Sequence, residues 1–216
     1  MILHKNIQIF KEHGHEKYKQ LFEDLVEFGQ QPHTLFITCS DSRVNPNLVT
    51  NTQPGEMFVI RNVGNMVPKY HEKKGEHSTL AAIEYAVLTL NVSNIIVCGH
   101  THCGACEALW EPEKSGFHTR HWLQLGMSGR SFIEMFKDNL EDKKFKFFIT
   151  EQLNIIVQLK RLASYPFIKE RLENHTLTLE GWHYILERGE ILIFDPSTHE
   201  FKPAQEVIRH PRCNLP

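Results

Sequence analysis

Two short clusters of cysteine, histidine and charged residues stand out as candidates for metal chemistry. The first is Cys39-Ser-Asp41-Ser-Arg43, and the second is His100-Thr-His-Cys103. Thiolate sulfur and imidazole nitrogen are the donors that zinc prefers in proteins. Cys39, His100 and Cys103 would supply three such donors, whereas a structural zinc site normally has four protein ligands. Three ligands leave a position for water or substrate, so the count favours a catalytic zinc site.

The segment Cys103-Gly-Ala-Cys106 allows a second interpretation. A Cys-x-x-Cys motif after a strand can be a redox-active dithiol, which leaves open a non-catalytic module that binds zinc or responds to redox state. A structural metal needs neither Asp41 nor Arg43, so their presence favours an enzyme. We expect two further cysteines to be inert, namely Cys98 and Cys213.

Both clusters follow predicted strands, and these strands must position them. Three short apolar runs rich in β-branched residues indicate strands buried on both faces of a parallel sheet: Leu35–Thr38, Met57–Ile60 and Ile95–Cys98. In such sheets, ligands bind outside the carboxyl ends of the strands. If the first and third strands are neighbours, Cys39 faces the turn that contains His100 and Cys103.

Helical patterns flank these strands. The predicted helices are an amphipathic N-terminal one (apolar at Tyr18, Leu21, Phe22, Leu25 and Val26), Ser78–Leu90, and one from an N-cap at Thr150 to Ser164. Leu177–Leu186 and Ile191–Phe194 predict a hairpin at the sheet edge. Residues 111–146 are predicted to form a loop with one or two helices. We expect an α/β fold: a central, mostly parallel β-sheet with an antiparallel edge strand, flanked by helices, with an N-terminal helical extension.

Size and composition are consistent with a single domain over 1–216, divided into a helical arm (1–30), a zinc-site core (31–110) and C-terminal helices with the edge hairpin (111–216). The formal net charge of −2 gives no reason to expect nucleic acid or an anionic membrane as partner. No apolar run is long enough to span a membrane, and no secretory signal is visible. The odd number of cysteines, five, favours free thiols in a reducing cytoplasm.

Several ordered blocks strongly resemble the signature of the β-class carbonic anhydrases. They are Cys39-Ser-Asp-Ser-Arg43, Gly55-Glu56, Arg61-Asn-Val-Gly-Asn65, Gly99-His-Thr-His-Cys103-Gly104 and Gly181-Trp-His-Tyr184. The resemblance is dense from Pro32 to Ala105 and covers most of the chain. It implies reversible hydration of carbon dioxide to bicarbonate and a proton by a metal-bound hydroxide, with Zn²⁺ held by Cys39, His100 and Cys103.

The resemblance also implies roles for residues around the metal. Asp41 and Arg43 would form the catalytic pair, in which Arg43 keeps the Asp41 carboxylate from becoming a fourth zinc ligand in a closed state. The implied substrate pocket consists of Gln30, Phe58, Val63, Tyr85 and Gly104. Because some of these come from a second subunit in the family, a homodimer or dimer of dimers is expected.

Two expectations concern regulation and substrate. A bicarbonate-inhibited subgroup has a tryptophan three residues before the first zinc cysteine, and Phe36 at that position predicts no second bicarbonate site. His102 is near enough in sequence to carry protons to solvent. A relative with the same fold could instead hydrolyse carbonyl sulfide or carbon disulfide, which are linear molecules like carbon dioxide.

Overall fold

A computed structural model describes residues 2–71, 77–134 and 141–207 of the chain. Its described strands are β1 Thr34–Cys39, β2 Met57–Asn62, β3 Asn94–His100, β4 Thr178–Ile185, β5 Glu190–Asp195 and β6 Glu200–Pro203. They form one sheet in the order β2-β1-β3-β4-β5-β6. The pairs β1–β2, β1–β3 and β3–β4 are parallel, whereas β4–β5 and β5–β6 are antiparallel. The predicted mostly parallel sheet is confirmed, with two antiparallel edge strands rather than one.

Helices surround this sheet. Those within the described ranges are α1 Ile2–Ile9, α2 His15–Phe28, α3 Pro46–Thr50, α4 Ser78–Glu84, α5 Gly104–Ala108, α6 Phe117–Leu123, α7 Met127–Glu134, α8 Lys143–Ala163 and α9 Pro166–Glu173. A π-helical turn, Tyr85–Thr89, extends α4 and completes the helix predicted for 78–90. The described part of the segment 111–146 contains a 3-10 turn at Pro112–Lys114, the helices α6 and α7, and the start of α8. Residues 135–140 of this segment, like Cys213, lie outside the described ranges.

The predicted start of α8 is wrong. The helix begins at Lys143, where the Asp142 side chain accepts a hydrogen bond from the Lys144 N–H at 2.8 Å. Thr150 instead lies buried inside the helix, and its hydroxyl donates to the Lys146 carbonyl at 2.7 Å. Pro166 does follow the end of α8, but it also begins α9, which the sequence analysis did not predict.

Two glycines allow α8 to pack closely on the sheet. A Cβ atom on Gly99 would lie 2.9 Å from Ile155 Cδ1, and one on Gly181 would lie 2.8 Å from Leu159 Cδ1. Gly99 is on β3 and Gly181 is on the adjacent strand β4. The missing side chains therefore bring the buried face of α8 next to the carboxyl end of β3, where His100 lies.

On the opposite face of the sheet, Phe36 is completely buried beside Ile96 and Cys98. Its ring packs edge-on against Trp182, with the ring centroids 5.9 Å apart. Phe36 is therefore a core residue.

The N-terminal arm formed by α1, the π-helical turn Phe10–Gly14 and α2 is exposed in the single chain. No residue of α2 is buried, and Val26 and Phe28 are 86% and 69% exposed. The predicted amphipathic helix is thus present. Tyr18, Leu21, Phe22 and Leu25 are partly covered within the single chain, whereas Val26 is exposed. None of the helices described is long and apolar enough to cross a membrane.

Candidate metal centre and active site

The three predicted metal ligands converge at one edge of the sheet. Cys39 ends β1 and His100 ends β3, and these strands are parallel neighbours, so their carboxyl ends lie side by side. Cys103 is the residue just before α5. One potential ligand atom from each residue lies within 4.8 Å of the others, and all three residues are buried. The expected strand adjacency is confirmed, and it brings the three donors together.

The orientation of His100 suits a metal ligand. Its Nδ1 lies 2.8 Å from the Thr101 carbonyl oxygen, and because a carbonyl only accepts, Nδ1 carries the proton. The other ring nitrogen, Nε2, then has a free lone pair. Nε2 is buried and has no hydrogen-bond partner among the described residues. A buried acceptor without a partner is costly, and a metal ion would satisfy it.

The two thiols also fit a soft divalent cation. Hydrogen bonding with Cys103 and burial raise the pKa of Cys39 to about 12. Hydrogen bonding with Cys106, together with burial, raises the pKa of Cys103 well above its usual value. A bound cation reverses this preference, because a coordinating thiol loses its proton. The Gly64 N–H already donates to Cys39 Sγ at 3.4 Å, which favours the thiolate form.

Asp41 and Arg43 form a bidentate ion pair beside the three candidate metal ligands. Arg43 Nε donates to Asp41 Oδ1 at 2.9 Å, and its Nη2 donates to Oδ2 at 2.7 Å. Nη2 also donates to the His102 carbonyl at 2.9 Å. Asp41 Oδ2 lies 3.9 Å from His100 Nε2. The side chain of Arg43 holds the pKa of Asp41 well below its usual range, so the carboxylate is ionised at neutral pH.

A cavity of about 530 Å³ borders Ser40, the residue after Cys39, and is lined by Phe58, Val63 and Trp122 among others. Tyr85 lies outside this lining, but its ring centroid is 5.9 Å from that of Phe58. Tyr85 and Val63 are both about half exposed in the single chain.

Two further predicted pocket residues lie apart from the lining of this cavity. Gln30 is exposed just after the end of α2. Gly104 is exposed at the start of α5, with open space where a Cβ would stand. The single chain therefore places Phe58 and Val63 in the cavity lining and Tyr85 beside Phe58, but it does not add Gln30 or Gly104 to this lining.

Three residues near the site have roles that were not predicted from the sequence. Trp122 donates from Nε1 to the Val63 carbonyl at 2.7 Å and so fixes one wall of the cavity. Glu151 and His183 form a fully buried pair, with Oε2 and Nε2 3.2 Å apart. Glu151 Oε1 accepts a hydrogen bond from the Cys103 N–H at 3.0 Å. The sequence signal for Glu151 is a charged residue on the apolar face of α8. The predicted N-cap at Thr150 placed Glu151 at the start of the helix, so this signal was not recognised.

Comparison with known proteins agrees with this geometry. A sequence profile described as carbonic anhydrase matches residues 34–191. The chain is 42% identical over 212 residues to a carbonic anhydrase of Helicobacter pylori strain J99, covering 93% of this chain and 92% of that protein. It is 38% identical to a carbonic anhydrase of Synechocystis sp., with 98% of this chain and 80% of that protein covered.

Solved structures give the same result. The β-carbonic anhydrase CcaA matches with a TM-score of 0.88 and 39% identity, over 95% of this chain and 92% of that one. A tetrameric β-carbonic anhydrase of Sordaria macrospora matches with a TM-score of 0.80 and 29% identity, over 89% and 94% of the two chains. The similarity spans both strands that end in cysteine or histidine and the sheet that aligns them. This chain therefore belongs to the carbonic anhydrase family, in its β class.

Proposed function

We propose that this chain catalyses the zinc-dependent, reversible hydration of carbon dioxide, with the metal held by Cys39, His100 and Cys103. The observation that carries the proposal is a buried set of two sulfurs and one imidazole nitrogen in a member of the carbonic anhydrase family. This nitrogen has no hydrogen-bond partner among the residues that the structure describes. Zinc supplies a hydroxide nucleophile near neutral pH by lowering the pKa of water. The family similarity does not favour the alternatives, a carbonyl sulfide or carbon disulfide hydrolase and a non-catalytic module.

Asp41 and Arg43 are the catalytic pair in this proposal. Because the Asp41 carboxylate is ionised, it can accept a hydrogen bond from the attacking water or hydroxide and orient it. The bidentate interaction holds both carboxylate oxygens of Asp41, with Arg43 Nε 2.9 Å from Oδ1 and Nη2 2.7 Å from Oδ2. That interaction opposes movement of Asp41 onto the metal, where it would be a fourth ligand and block the substrate.

The proposed pocket suits a small linear molecule without charge. Phe58 and Val63 line the cavity beside the metal ligands, and apolar walls favour carbon dioxide over the charged product. Gly104 is exposed at the start of α5, and its backbone N–H would donate a hydrogen bond to a bicarbonate oxygen. We assign Gln30 and Tyr85 to the same pocket, which is completed when a second copy of the chain packs against the exposed side of Tyr85.

The proposed assembly is a homodimer or a dimer of dimers. The exposed apolar residues of the N-terminal arm, with Val26 at 86% and Phe28 at 69%, support it because an apolar surface of this kind is stabilised by burial. A relative of known structure is described as tetrameric. The proposed location is the cytoplasm, where a reducing environment would preserve the free, buried thiols such as Cys98 and Cys106.

The test is zinc content and carbon dioxide hydration, measured on the same purified sample. We expect about one zinc per chain, and Cys39→Ser, His100→Ala and Cys103→Ser should each lose most of the metal and the activity. Cys106→Ser is the matched control, because it removes a buried thiol one helical turn from Cys103 and should keep both. Full zinc occupancy in a ligand variant would exclude the substituted residue from the zinc coordination sphere. Loss of activity in Cys106→Ser under reducing conditions would favour the redox interpretation.

A further inference from the structure

Helix α8 carries three buried polar residues on the face that packs against the sheet. They are Glu151, Asn154 and Gln158, with exposures of 2%, 1% and 0%. Their spacing of i, i+3 and i+7 places them on one side of the helix, next to the equally buried Ile155 and Leu159. Burying a polar side chain costs free energy unless the side chain is hydrogen-bonded. The hydrogen-bond partners of these three residues, which we call the polar stripe of α8, therefore indicate what the stripe holds in place.

Glu151 holds the loop of one proposed metal ligand. Its Oε1 accepts the Cys103 N–H at 3.0 Å, and its Oε2 lies 3.2 Å from His183 Nε2. His183 is completely buried, with the Phe148 ring against it at 4.9 Å between centroids. The carboxylate is therefore fixed on both sides, and the backbone of Cys103 is fixed with it.

Asn154, one turn further along, holds the loop beside the other proposed thiolate. Its Nδ2 donates to the Gly64 carbonyl at 2.9 Å, and the Gly64 N–H donates to Cys39 Sγ at 3.4 Å. Gln158 Nε2 donates to Asn154 Oδ1 at 2.8 Å, and Gln158 Oε1 accepts the Val67 N–H at 2.9 Å. One face of one helix thus reaches the surroundings of both cysteines.

We propose that Glu151 and Asn154 are positioning residues of the metal centre, which hold the Cys39 and Cys103 loops at the spacing that zinc requires. The inference rests on the proposed function, because it takes these cysteines as ligands. The ligand loops are distant in sequence, whereas α8 is a single rigid element that contacts both. Fixing the loops before the metal arrives lowers the entropic cost of binding it. Neither residue is among the proposed metal ligands or the residues that line the cavity.

A merely structural role would have a different signature. If the stripe only fastened α8 to the sheet, its removal would lower the stability of the protein without changing the affinity for zinc in the molecules that remain folded. The two roles are therefore separated by measuring zinc affinity and metal-free stability on the same variants.

The experiment compares Glu151→Ala and Asn154→Ala with Thr150→Val. Thr150 is the matched control because it is buried on the same helix and hydrogen-bonded, but its partners are Trp110 Nε1 at 3.0 Å and the Lys146 carbonyl at 2.7 Å, away from the ligand loops. Zinc affinity is measured by competition with a chelator, and stability by thermal unfolding of the metal-free protein. Residues that orient metal ligands typically change affinity by 10–100-fold, and we expect a loss of about that size in both alanine variants and none in Thr150→Val.

The conservative variant Glu151→Gln provides a rescue. Its amide keeps an oxygen for the Cys103 N–H and can turn its NH₂ group toward His183 Nε2, which then accepts after a change of tautomer. Zinc affinity in Glu151→Gln should therefore lie much nearer to that of the parent protein than affinity in Glu151→Ala. The absorption bands of protein loaded with Co²⁺ alone should shift in the alanine variants and not in Thr150→Val, because they report donor geometry.

Parent-like zinc affinity in folded Glu151→Ala and Asn154→Ala would overturn the inference, as would an equal loss of affinity in Thr150→Val. If Glu151→Ala does not fold, Asn154→Ala decides by the same comparison, and Asn154→Asp, which loses the donor to the Gly64 carbonyl, repeats it. Cys39→Ser is included throughout. The proposed function itself is contradicted if the parent protein binds no zinc, or if Cys39→Ser binds zinc as tightly as the parent. If Cys39→Ser loses zinc but the α8 variants keep the zinc affinity of the parent, only the positioning role is contradicted.

Discussion

Glu187 shows how a single side chain outside the metal ligands can stabilise the loop that carries them. It lies in the turn after β4, accepts a hydrogen bond from Thr101 Oγ1 at 2.9 Å, and pairs with His102 Nε2. His102 has a φ of 56°, a left-handed conformation that residues other than glycine adopt only occasionally. Glu187 thus bonds to both residues between His100 and Cys103. The role of His102 in carrying protons stays a prediction.

The contribution of Glu187 should depend on pH in one direction. Hydrogen bonds from its own backbone N–H, from His102 and from Thr101 lower its pKa from 4.5 to about 2. The stabilisation is therefore complete above the unfolded-state pKa and is lost as pH falls toward about 2. In urea unfolding of the metal-free proteins, Glu187→Gln should be less stable than the parent by at most about 1 kcal/mol at neutral pH, because the pair is half exposed. This difference should shrink as the carboxylate is protonated.

Glu173→Gln is the control for that measurement, since among the described side chains the Glu173 carboxylate pairs only with the exposed Lys169, at 3.9 Å. Its difference from the parent should stay near zero across the same pH range. A Glu187→Gln difference that grows as the solution is made more acidic would contradict the assignment.

At the level of elements, the packing of α8 on β3 and β4 links the sheet to the metal site. The contact is close because Gly99 and Gly181 face the helix without side chains. The polar stripe of α8 can reach the ligand loops only while this close approach is kept. The two glycines therefore contribute to the structure of the site, although neither is a proposed metal ligand or lines the cavity.

Gly181→Ala should weaken both the fold and the site. The added methyl group would lie 2.8 Å from Ile155 Cγ2 and from Leu159 Cδ1, so α8 must move or the side chains must repack. Overpacking of this kind costs about 1–3 kcal/mol, which urea unfolding of the metal-free protein would measure. Zinc affinity should fall as well. Gly116→Ala is the control, because no atom of the described residues beyond its chain neighbours lies within 4 Å of the new Cβ. Equal stability of the two variants would show that α8 does not depend on the close contact.

The same elements show what the sequence could and could not predict. Strands β1, β2 and β3 were predicted because each is a short apolar run, and their parallel order then placed Cys39 beside His100. The strand β6 was missed because Glu200–Pro203 is only four residues long and has no apolar alternation. The Glu151–His183 pair could not be predicted, because the burial of each residue depends on a partner 32 residues away in sequence. Local patterns carry no information about such a contact.

At the level of the whole molecule, the N-terminal arm leaves apolar side chains exposed in the single chain. Its apolar residues Leu3, Ile7, Val26 and Phe28 are each more than half exposed. The half-exposed Tyr85 and Val63 beside the cavity have the same implication. Assembly would bury both sets of residues, so we expect oligomerisation and activity to be linked.

Val26→Lys should therefore shift the protein toward the monomer and lower its activity together. Loss of a buried valine contact costs about 1.5–3 kcal/mol, which weakens self-association by roughly 10-fold or more. Light scattering and carbon dioxide hydration over a range of protein concentrations would measure both effects, and deletion of residues 1–28 should produce a larger version of them. Gln20→Lys, which adds the same charge to an already polar position on α2, is the control. A fully active monomer would contradict the proposed assembly.

The parallel order of the sheet also determines when the metal centre can form as the chain folds. Parallel strands cannot be joined by tight hairpins, so each of these pairings closes a long loop, and such topologies fold slowly. The contacts that frame the site are equally distant: Cys103 and Glu151 are 48 residues apart, and Gly64 and Asn154 are 90 apart. A chain still emerging from the ribosome exposes Cys39, His100 and Cys103 long before α8 and β4 exist to align them. We therefore expect the metal to bind after α8 and β4 have packed, so that it stabilises the folded state rather than nucleating it.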